Sequence, residues 1–160
     1  KDDLPGLIIS DILEDNDGRK FQLRGVPDIV IKFTNKNDGY GIIDFKTTNL
    51  SNTKSDNYKY QLEAYAQIFK KPGATKTAST PKLSPITHMG VLQFFPEKIF
   101  KHQISDCDLK MQMSYSPLKR NEEDFFKHIT NLINFLEQEN VPDFNSNCNY
   151  CKFVQGQSNL

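Results

Sequence analysis

The sequence GIIDFKT at Gly41–Thr47 combines an apolar run with an aspartate and a lysine two residues apart. Its apolar start indicates a buried β-strand. Side chains of a strand alternate between its two faces, so Asp44 and Lys46 point one way while Ile43 and Phe45 point the other. We therefore expect a carboxylate and an ammonium group side by side on one face of a strand.

A second carboxylate stands a short distance upstream. Asp28 ends the run RGVPD and leads into the apolar stretch Ile29–Phe33, which predicts a strand that pairs with Gly41–Thr47 around the polar residues 35–39. Magnesium and manganese prefer hard oxygen ligands. Asp28, Asp44 and the main-chain carbonyl of Phe45 are therefore the candidate ligands of a Mg²⁺ or Mn²⁺ ion.

Such a cluster suits the hydrolysis of a phosphodiester bond. A metal held there would acidify a bound water and neutralise charge on the phosphate, and Lys46 would orient that water or stabilise the transition state. Asp28, Asp44 and Lys46 are the candidate catalytic residues. The alternative for Asp44 and Lys46 taken alone is an exposed ion pair worth about 0–1 kcal/mol. We interpret a second copy of the triplet, DLK at 108–110, as such a solvated pair, because it lacks a preceding apolar run and a partner carboxylate.

A helix follows the strand. Apolar residues recur at helical spacing from Tyr58 to Phe69, and the sequence KKPG at 70–73 ends the pattern. Gln61 and Tyr65 are four residues apart and lie one turn above each other on one side of this helix. They line the predicted cleft, although Tyr65 read alone is equally a core residue.

The order and spacing of these motifs resemble the PD-(D/E)xK nuclease superfamily, and within it the RecB-type exonucleases and their CRISPR-adaptation relatives. The resemblance extends from Leu7 to Phe69 and is general in shape beyond. Its motifs are Gly-x-x-Asp, (Asp/Glu)-x-Lys and Gln-x-x-x-Tyr, present here as Gly25…Asp28, Asp44…Lys46 and Gln61…Tyr65.

The resemblance implies a restriction-endonuclease-like α/β core, in which a mixed central β-sheet is flanked by α-helices. It also implies metal ligation by Asp28 and Asp44, a catalytic role for Lys46, and substrate binding by Gln61 and Tyr65.

Two departures from the family pattern matter. The family usually has an upstream helix that carries another acidic or histidine ligand; none is evident here, so we expect a fragment that lacks this helix. Many relatives hold an iron–sulfur cluster through four cysteines. Here Cys148 and Cys151 preserve one Cys-x-x-Cys step, and Gln157 occupies the expected next ligand position. Two thiolates cannot complete a zinc or cluster site alone. We interpret the pair as a remnant and expect no iron–sulfur cluster in this chain, with metal binding through residues outside it as the alternative.

Beyond these motifs the pattern predicts one domain over residues 1–160. Strands are expected at Thr87–Phe95 and Lys98–Ser105 around a turn at Pro96, and the amphipathic helix Asn121–Glu139 should turn its apolar face inward. Residues 142–160 are expected to form an irregular tail. Strands are also expected at Leu7–Leu13 and Lys20–Leu23, joined by a turn at residues 15–18.

Composition limits the partners. The 20 basic and 20 acidic residues cancel, so no global positive field attracts nucleic acid. Lysines around the predicted helix form either a local DNA-binding patch or an ordinary solvated surface: Lys54, Lys59, Lys70, Lys71 and Lys76. The sequence has no long apolar run, which predicts no membrane partner, and three cysteines without a paired framework favour an intracellular, cytoplasmic protein.

The function predicted is that of a metal-dependent deoxyribonuclease acting on single strands or ends. Two alternatives stay open. One is a non-catalytic DNA-binding or assembly domain that retains the fold, and the other is the nuclease module of a larger helicase–nuclease.

Overall fold

A computed structural model describes residues 6–34, 39–47, 55–76, 79–103, 106–140 and 147–157. The chain divides into two compact units, Lys1–Thr130 and Asn131–Leu160. The single-domain organisation, the missing upstream helix and the fragment interpretation stay predictions.

Short antiparallel pairs open the first unit. Strand β1 (Ile8–Ile9) pairs with β4 (Arg24–Gly25), and β2 (Leu13–Glu14) pairs with β3 (Lys20–Phe21). The predicted strand Leu7–Leu13 is therefore broken in two. The break follows Ser10, whose buried hydroxyl accepts a hydrogen bond from the Leu23 amide at 2.9 Å. The predicted turn at residues 15–18 is found, with Gly18 at a φ of 79° that favours glycine.

The main sheet has four strands in the order β5-β6-β7-β8. These are β5 (Ile29–Lys32), β6 (Tyr40–Thr47), β7 (Ile86–Gln103) and β8 (Asp106–Leu118). β6 and β7 are parallel, whereas the two outer pairs are antiparallel. Residues 35–38, which include most of the predicted β5–β6 connection, lie outside the described part of the chain.

The parallel pairing requires a crossover, and helix α1 (Lys59–Lys70) supplies it after a 3-10 turn at Ser55–Tyr58. The helix buries an apolar stripe that includes Leu62, Ala66 and Phe69. This stripe and one face of the sheet, with Ile42 and Val91, form the core. The predicted α/β class with a mixed central sheet and flanking helices is confirmed, and the helix lies within one residue of its predicted bounds.

The predicted turn at Pro96 is wrong. Pro96 lies inside β7 and pairs with Met111 of β8, and the strand continues to Gln103. The pairing between β6 and β7 ends at Phe94, so the missing N–H interrupts no hydrogen bond to β6, and the register with β8 shifts directly after Pro96. The antiparallel partner of β7 is β8, which the sequence pattern did not predict as a strand. Residues 104 and 105, at the tip of the hairpin, lie outside the described residues.

Helix α2 (Glu122–Leu136) agrees with the predicted helix, but its apolar face is not buried throughout. Phe125 is buried, whereas Leu132 and Leu136, predicted to face inward, are 44% and 70% exposed. Helical periodicity identifies an apolar face without identifying what covers it, and that is the source of the error.

The C-terminal tail is not wholly irregular. Asn149–Gln157 form helix α3, within the range 142–160 that was expected to be irregular. Residues 141–146 and 158–160 lie outside the described residues. No helix in the described ranges combines the length and apolar character needed to cross a membrane.

Candidate active site

Asp44 lies at the centre of the site. It occupies β6 on the face that α1 covers and is 2% exposed. Its Oδ1 accepts a hydrogen bond from Gln61 Nε2 at 3.0 Å, and its Oδ2 lies 2.5 Å from Lys46 Nζ. The strand alternation predicted from the sequence thus brings Asp44 and Lys46 together. They form a buried carboxylate with a neighbouring ammonium group, not the exposed ion pair that was the alternative.

Asp28 stands immediately before β5, at the edge of β6. Its Oδ2 accepts a hydrogen bond from the Phe45 amide at 2.7 Å. Extending the β5–β6 register by two residues sets Pro27 opposite Phe45. Proline has no N–H to donate, so the ladder cannot satisfy the Phe45 carbonyl from that side. The sequence Pro27-Asp28 therefore ends the pairing of β5 with β6 and places the Asp28 carboxylate at that end.

The predicted pair Gln61 and Tyr65 forms a chain of hydrogen bonds to the site. Gln61 Nε2 contacts Tyr65 Oη at 3.0 Å as well as Asp44, and Tyr65 Oη donates to the carbonyl of Val26 at 3.0 Å. The chain fixes the orientation of the Asp44 carboxylate. It also ties the helix to the segment that carries Asp28. These contacts give Gln61 and Tyr65 a positioning role, and their contact with a substrate stays a prediction.

Gly25, the glycine of the first motif, is required for a steric reason. A Cβ atom added to Gly25 would overlap the Tyr65 ring, with the nearest ring carbon far inside normal contact distance. Only glycine lets the β4 backbone approach the ring this closely. Gly25 therefore permits the position of Tyr65, and through it that of Gln61.

Tyr58 belongs to the site and was not predicted. It precedes the first residue of α1, and its ring centroid lies 5.0 Å from Lys46 Nζ. Such cation–π contacts stabilise an ammonium group near an aromatic face. Lys46 is thereby held between a carboxylate and an aromatic ring, with 26% of its side chain exposed. A lone aromatic residue before a helix carries no sequence signal for this contact.

The surroundings of Asp44 disfavour the ionised form of its carboxyl group. Burial raises the pKa of Asp44 above its ordinary value, and the nearby Asp28 carboxylate raises it further, while Lys46 opposes both effects. Two carboxylates this close, one of them buried, are an arrangement that a cation stabilises.

The residues present fit a divalent metal. Asp44 Oδ2 is buried and, among the described residues, no donor reaches it with hydrogen-bond geometry, although the Lys46 ammonium is close. Together with Asp28 and the Phe45 carbonyl it offers only hard oxygen donors. Magnesium commonly uses one or two carboxylates and completes its shell with water and substrate oxygens. The described part of the chain contains no group of three or more His, Cys, Asp or Glu side chains that could hold a metal, so within it the two aspartates are the side-chain ligands on offer here.

The cysteines form a local pair in the second unit. Cys148 precedes α3, and the Cys151 amide donates to Cys148 Sγ at 3.1 Å. Hydrogen bonds from Cys151 lower the pKa of the Cys148 thiol. Both cysteines are in the thiol form. The interpretation of the pair as a remnant stays a prediction.

The predicted lysine patch is partly neutralised. Lys59 pairs with Asp124 at 2.8 Å and Lys70 with Glu122 at 2.7 Å, both partners in the first turn of α2. Lys71 and Lys76 are exposed, and Lys54 lies outside the described residues. In the second triplet, at 108–110, Lys110 pairs with Glu97 across the β7–β8 hairpin at 3.0 Å. The Asp108 side chain is not among those described.

Comparison with known proteins now identifies the family. The sequence model of the PD-(D/E)XK nuclease superfamily matches residues 6–155. The chain belongs to this superfamily. Its mixed sheet β5–β8 with flanking helices is the restriction-endonuclease-like fold that the motifs implied.

Other comparisons add little. None of the curated proteins matches the chain. It is similar to one solved structure, described as "Crystal structure of SSO0001", with 20% identity and a TM-score of 0.48 over 92% of this chain. The chain spans 57% of the length of that protein. At this distance the similarity supports no conclusion about fold or function.

Proposed function

We propose that this protein is a metal-dependent deoxyribonuclease that hydrolyses phosphodiester bonds, with Mg²⁺ or Mn²⁺ as its cofactor. The observation that carries the proposal is the buried carboxylate of Asp44, which has Asp28 and Lys46 as close charged neighbours. Membership of a nuclease superfamily supports a nucleic acid substrate. Burial of clustered charge costs stability, and a functional site is the usual reason for keeping it.

The residues have separate roles in this mechanism. Asp28, Asp44 and the Phe45 carbonyl would hold the metal, which when bound acidifies water and neutralises phosphate charge. Gln61 keeps the Asp44 carboxylate in one orientation through its hydrogen bond to Oδ1. Lys46 contributes its positive charge at the phosphate as negative charge develops, an effect worth about 3 kcal/mol for one preorganised donor.

The proposed substrate preference rests on the resemblance to RecB-type exonucleases. We infer action on single strands or ends, and participation in a larger helicase–nuclease assembly, in DNA repair or recombination. The zero net charge agrees with binding to a local groove instead of along the length of a duplex. We also infer a cytoplasmic location from the absence of a paired cysteine framework.

A non-catalytic DNA-binding or assembly domain is the second candidate. The observation in its favour is the ligand count, because the described residues offer only two carboxylates at the site. This candidate predicts DNA binding without cleavage, which the following experiment separates from the first.

The test is cleavage of end-labelled single- and double-stranded DNA with manganese, magnesium or EDTA. Wild type should cut only with metal, and Lys46→Ala should cut at least a hundredfold more slowly. This variant should still fold and bind DNA, with lower stability because Asp44 loses its counterion. Lys82→Ala, which removes an exposed lysine elsewhere, is the matched control and should cut at the wild-type rate. Lys46→Ala cutting as fast as the control would refute the proposal. Binding without cutting by wild type would favour the second candidate.

A further inference from the structure

Gln93 is a buried residue of the site face that the motifs do not include. It lies on β7, where the parallel register makes it the partner of Lys46. Partner residues on neighbouring strands project to the same face of a sheet. The Gln93 side chain therefore stands beside that of Lys46, one row along from Asp44, and it is 1% exposed.

The Gln93 amide group is unusual because its donor is unused. Among the described residues, no acceptor forms a hydrogen bond with the buried Nε2 atom. Native structures satisfy nearly all buried polar groups, and an exception calls for a reason such as a catalytic role or an absent ligand. A methionine of similar size would fill this space without leaving a donor unpaired.

A second buried glutamine, Gln67, lies away from the site and provides a comparison. Gln67 is equally buried, at 2% exposure, and its Nε2 donates to Glu63 at 2.9 Å. Glu63 in turn pairs with Arg120 at 2.6 Å. The two buried glutamines thus differ in their pairing: the Gln67 amide has an acceptor, whereas the Gln93 amide has none within the described ranges.

An unpaired N–H next to an ammonium group suits an anionic oxygen. We propose that Gln93 is a further substrate-contacting residue, whose Nε2 donates a hydrogen bond to a non-bridging oxygen of the phosphodiester held at Lys46. The proposal rests on the nuclease function above and extends it by one donor.

Burial of Nε2 sets the order of events. The atom becomes reachable only when a neighbour on this face moves, and Lys46 is the partly exposed neighbour. Lys46 is paired with Asp44 in the structure and shares the register position of Gln93. We therefore expect Gln93 to engage a phosphate after the ammonium group has left the carboxylate.

The experiment compares Gln93→Met with Gln67→Met, which is the same substitution at a buried glutamine that already has an acceptor. Each variant is measured for its thermal midpoint, its cleavage rate with manganese, and its affinity for a single-stranded oligonucleotide in EDTA. Gln93→Met should keep or raise the midpoint and lower cleavage by about ten- to a hundredfold, the loss expected for one hydrogen bond to a charged group. Gln67→Met should lower the midpoint and leave cleavage by the folded protein unchanged.

A readout independent of cleavage separates this proposal from the nuclease function. Titration of ¹⁵N-labelled wild type with thymidine 5′-monophosphate should shift the Gln93 side-chain amide signals, and Lys46→Ala should weaken that response. A shift without any cleavage by wild type would reject the nuclease and retain the anion contact. An unshifted amide, or a Gln93→Met variant that is destabilised while its folded fraction cuts normally, would overturn the role of Gln93.

Discussion

Replacing Tyr65 with phenylalanine tests the hydrogen-bond chain that orients the Asp44 carboxylate. The change removes one oxygen and leaves the ring against Gly25. Two hydrogen bonds are lost, to Val26 and from Gln61, each at 3.0 Å. A typical bond contributes about 1 kcal/mol net, and the Val26 carbonyl is left without its donor, so unfolding should become about 1–3 kcal/mol easier.

That loss corresponds to a fall in melting temperature of roughly 3–10 °C for a chain of this size. Cleavage should fall about ten- to a hundredfold as well, the usual effect of removing a group that orients a metal ligand. Urea unfolding and the manganese-dependent cleavage assay measure the two effects separately.

Tyr115→Phe is the matched control. Its hydroxyl contacts the Met89 carbonyl at 3.5 Å, and the side chain is 48% exposed, so the same atom is removed from a weak, partly solvated contact. The control should lose less than about 0.5 kcal/mol. If Tyr65→Phe were no more destabilised than Tyr115→Phe and cut DNA equally well, the hydrogen-bond chain would have no role in holding the site.

Two further predictions concern stability. Gly25→Ala should lower the free energy of unfolding by about 1–3 kcal/mol, since the new methyl group displaces the Tyr65 ring; an unchanged urea midpoint would contradict the close approach. Asp15→Asn tests a pH effect. Although burial opposes it, hydrogen bonds from Arg19 and nearby amides hold the pKa of Asp15 below its ordinary 3.8. The carboxylate therefore stabilises the fold above that pH, and the stabilisation is lost as the pH falls through the lowered value. The variant should melt below wild type at pH 7, with a gap that closes toward pH 2, and a constant gap would contradict this.

Local pattern was sufficient for the centre of the site. Two-residue periodicity assigned Asp44 and Lys46 to one strand face, and four-residue spacing assigned Gln61 and Tyr65 to one side of the helix. These relations hold within a single element, so the sequence alone contains them. The hydrogen bond from Gln61 to the carboxylate depends on how the helix packs on the sheet, which the pattern does not contain.

Contacts between elements that are far apart in the sequence could not be predicted from the local pattern. Gln93 becomes a neighbour of Lys46 only through the register of a parallel pairing, which no local turn fixes. Pro96 illustrates the converse error, because proline predicts a turn but lies within β7, at a position where pairing with β6 has ended and pairing with β8 continues. Tyr58 reaches Lys46 from a 3-10 turn whose position depends on the connection between strand and helix.

The contact between Lys46 and Asp44 gives the buried carboxylate a resident counterion. The site can therefore fold without a metal, because an ammonium group of the same chain already balances part of the charge. This differs from small metal-dependent domains, in which loss of the ion unfolds the chain. In the proposed mechanism, a divalent ion has to compete with this tethered ammonium group for the carboxylate. The metal concentration needed for activity would then depend on Lys46 as much as on the two aspartates.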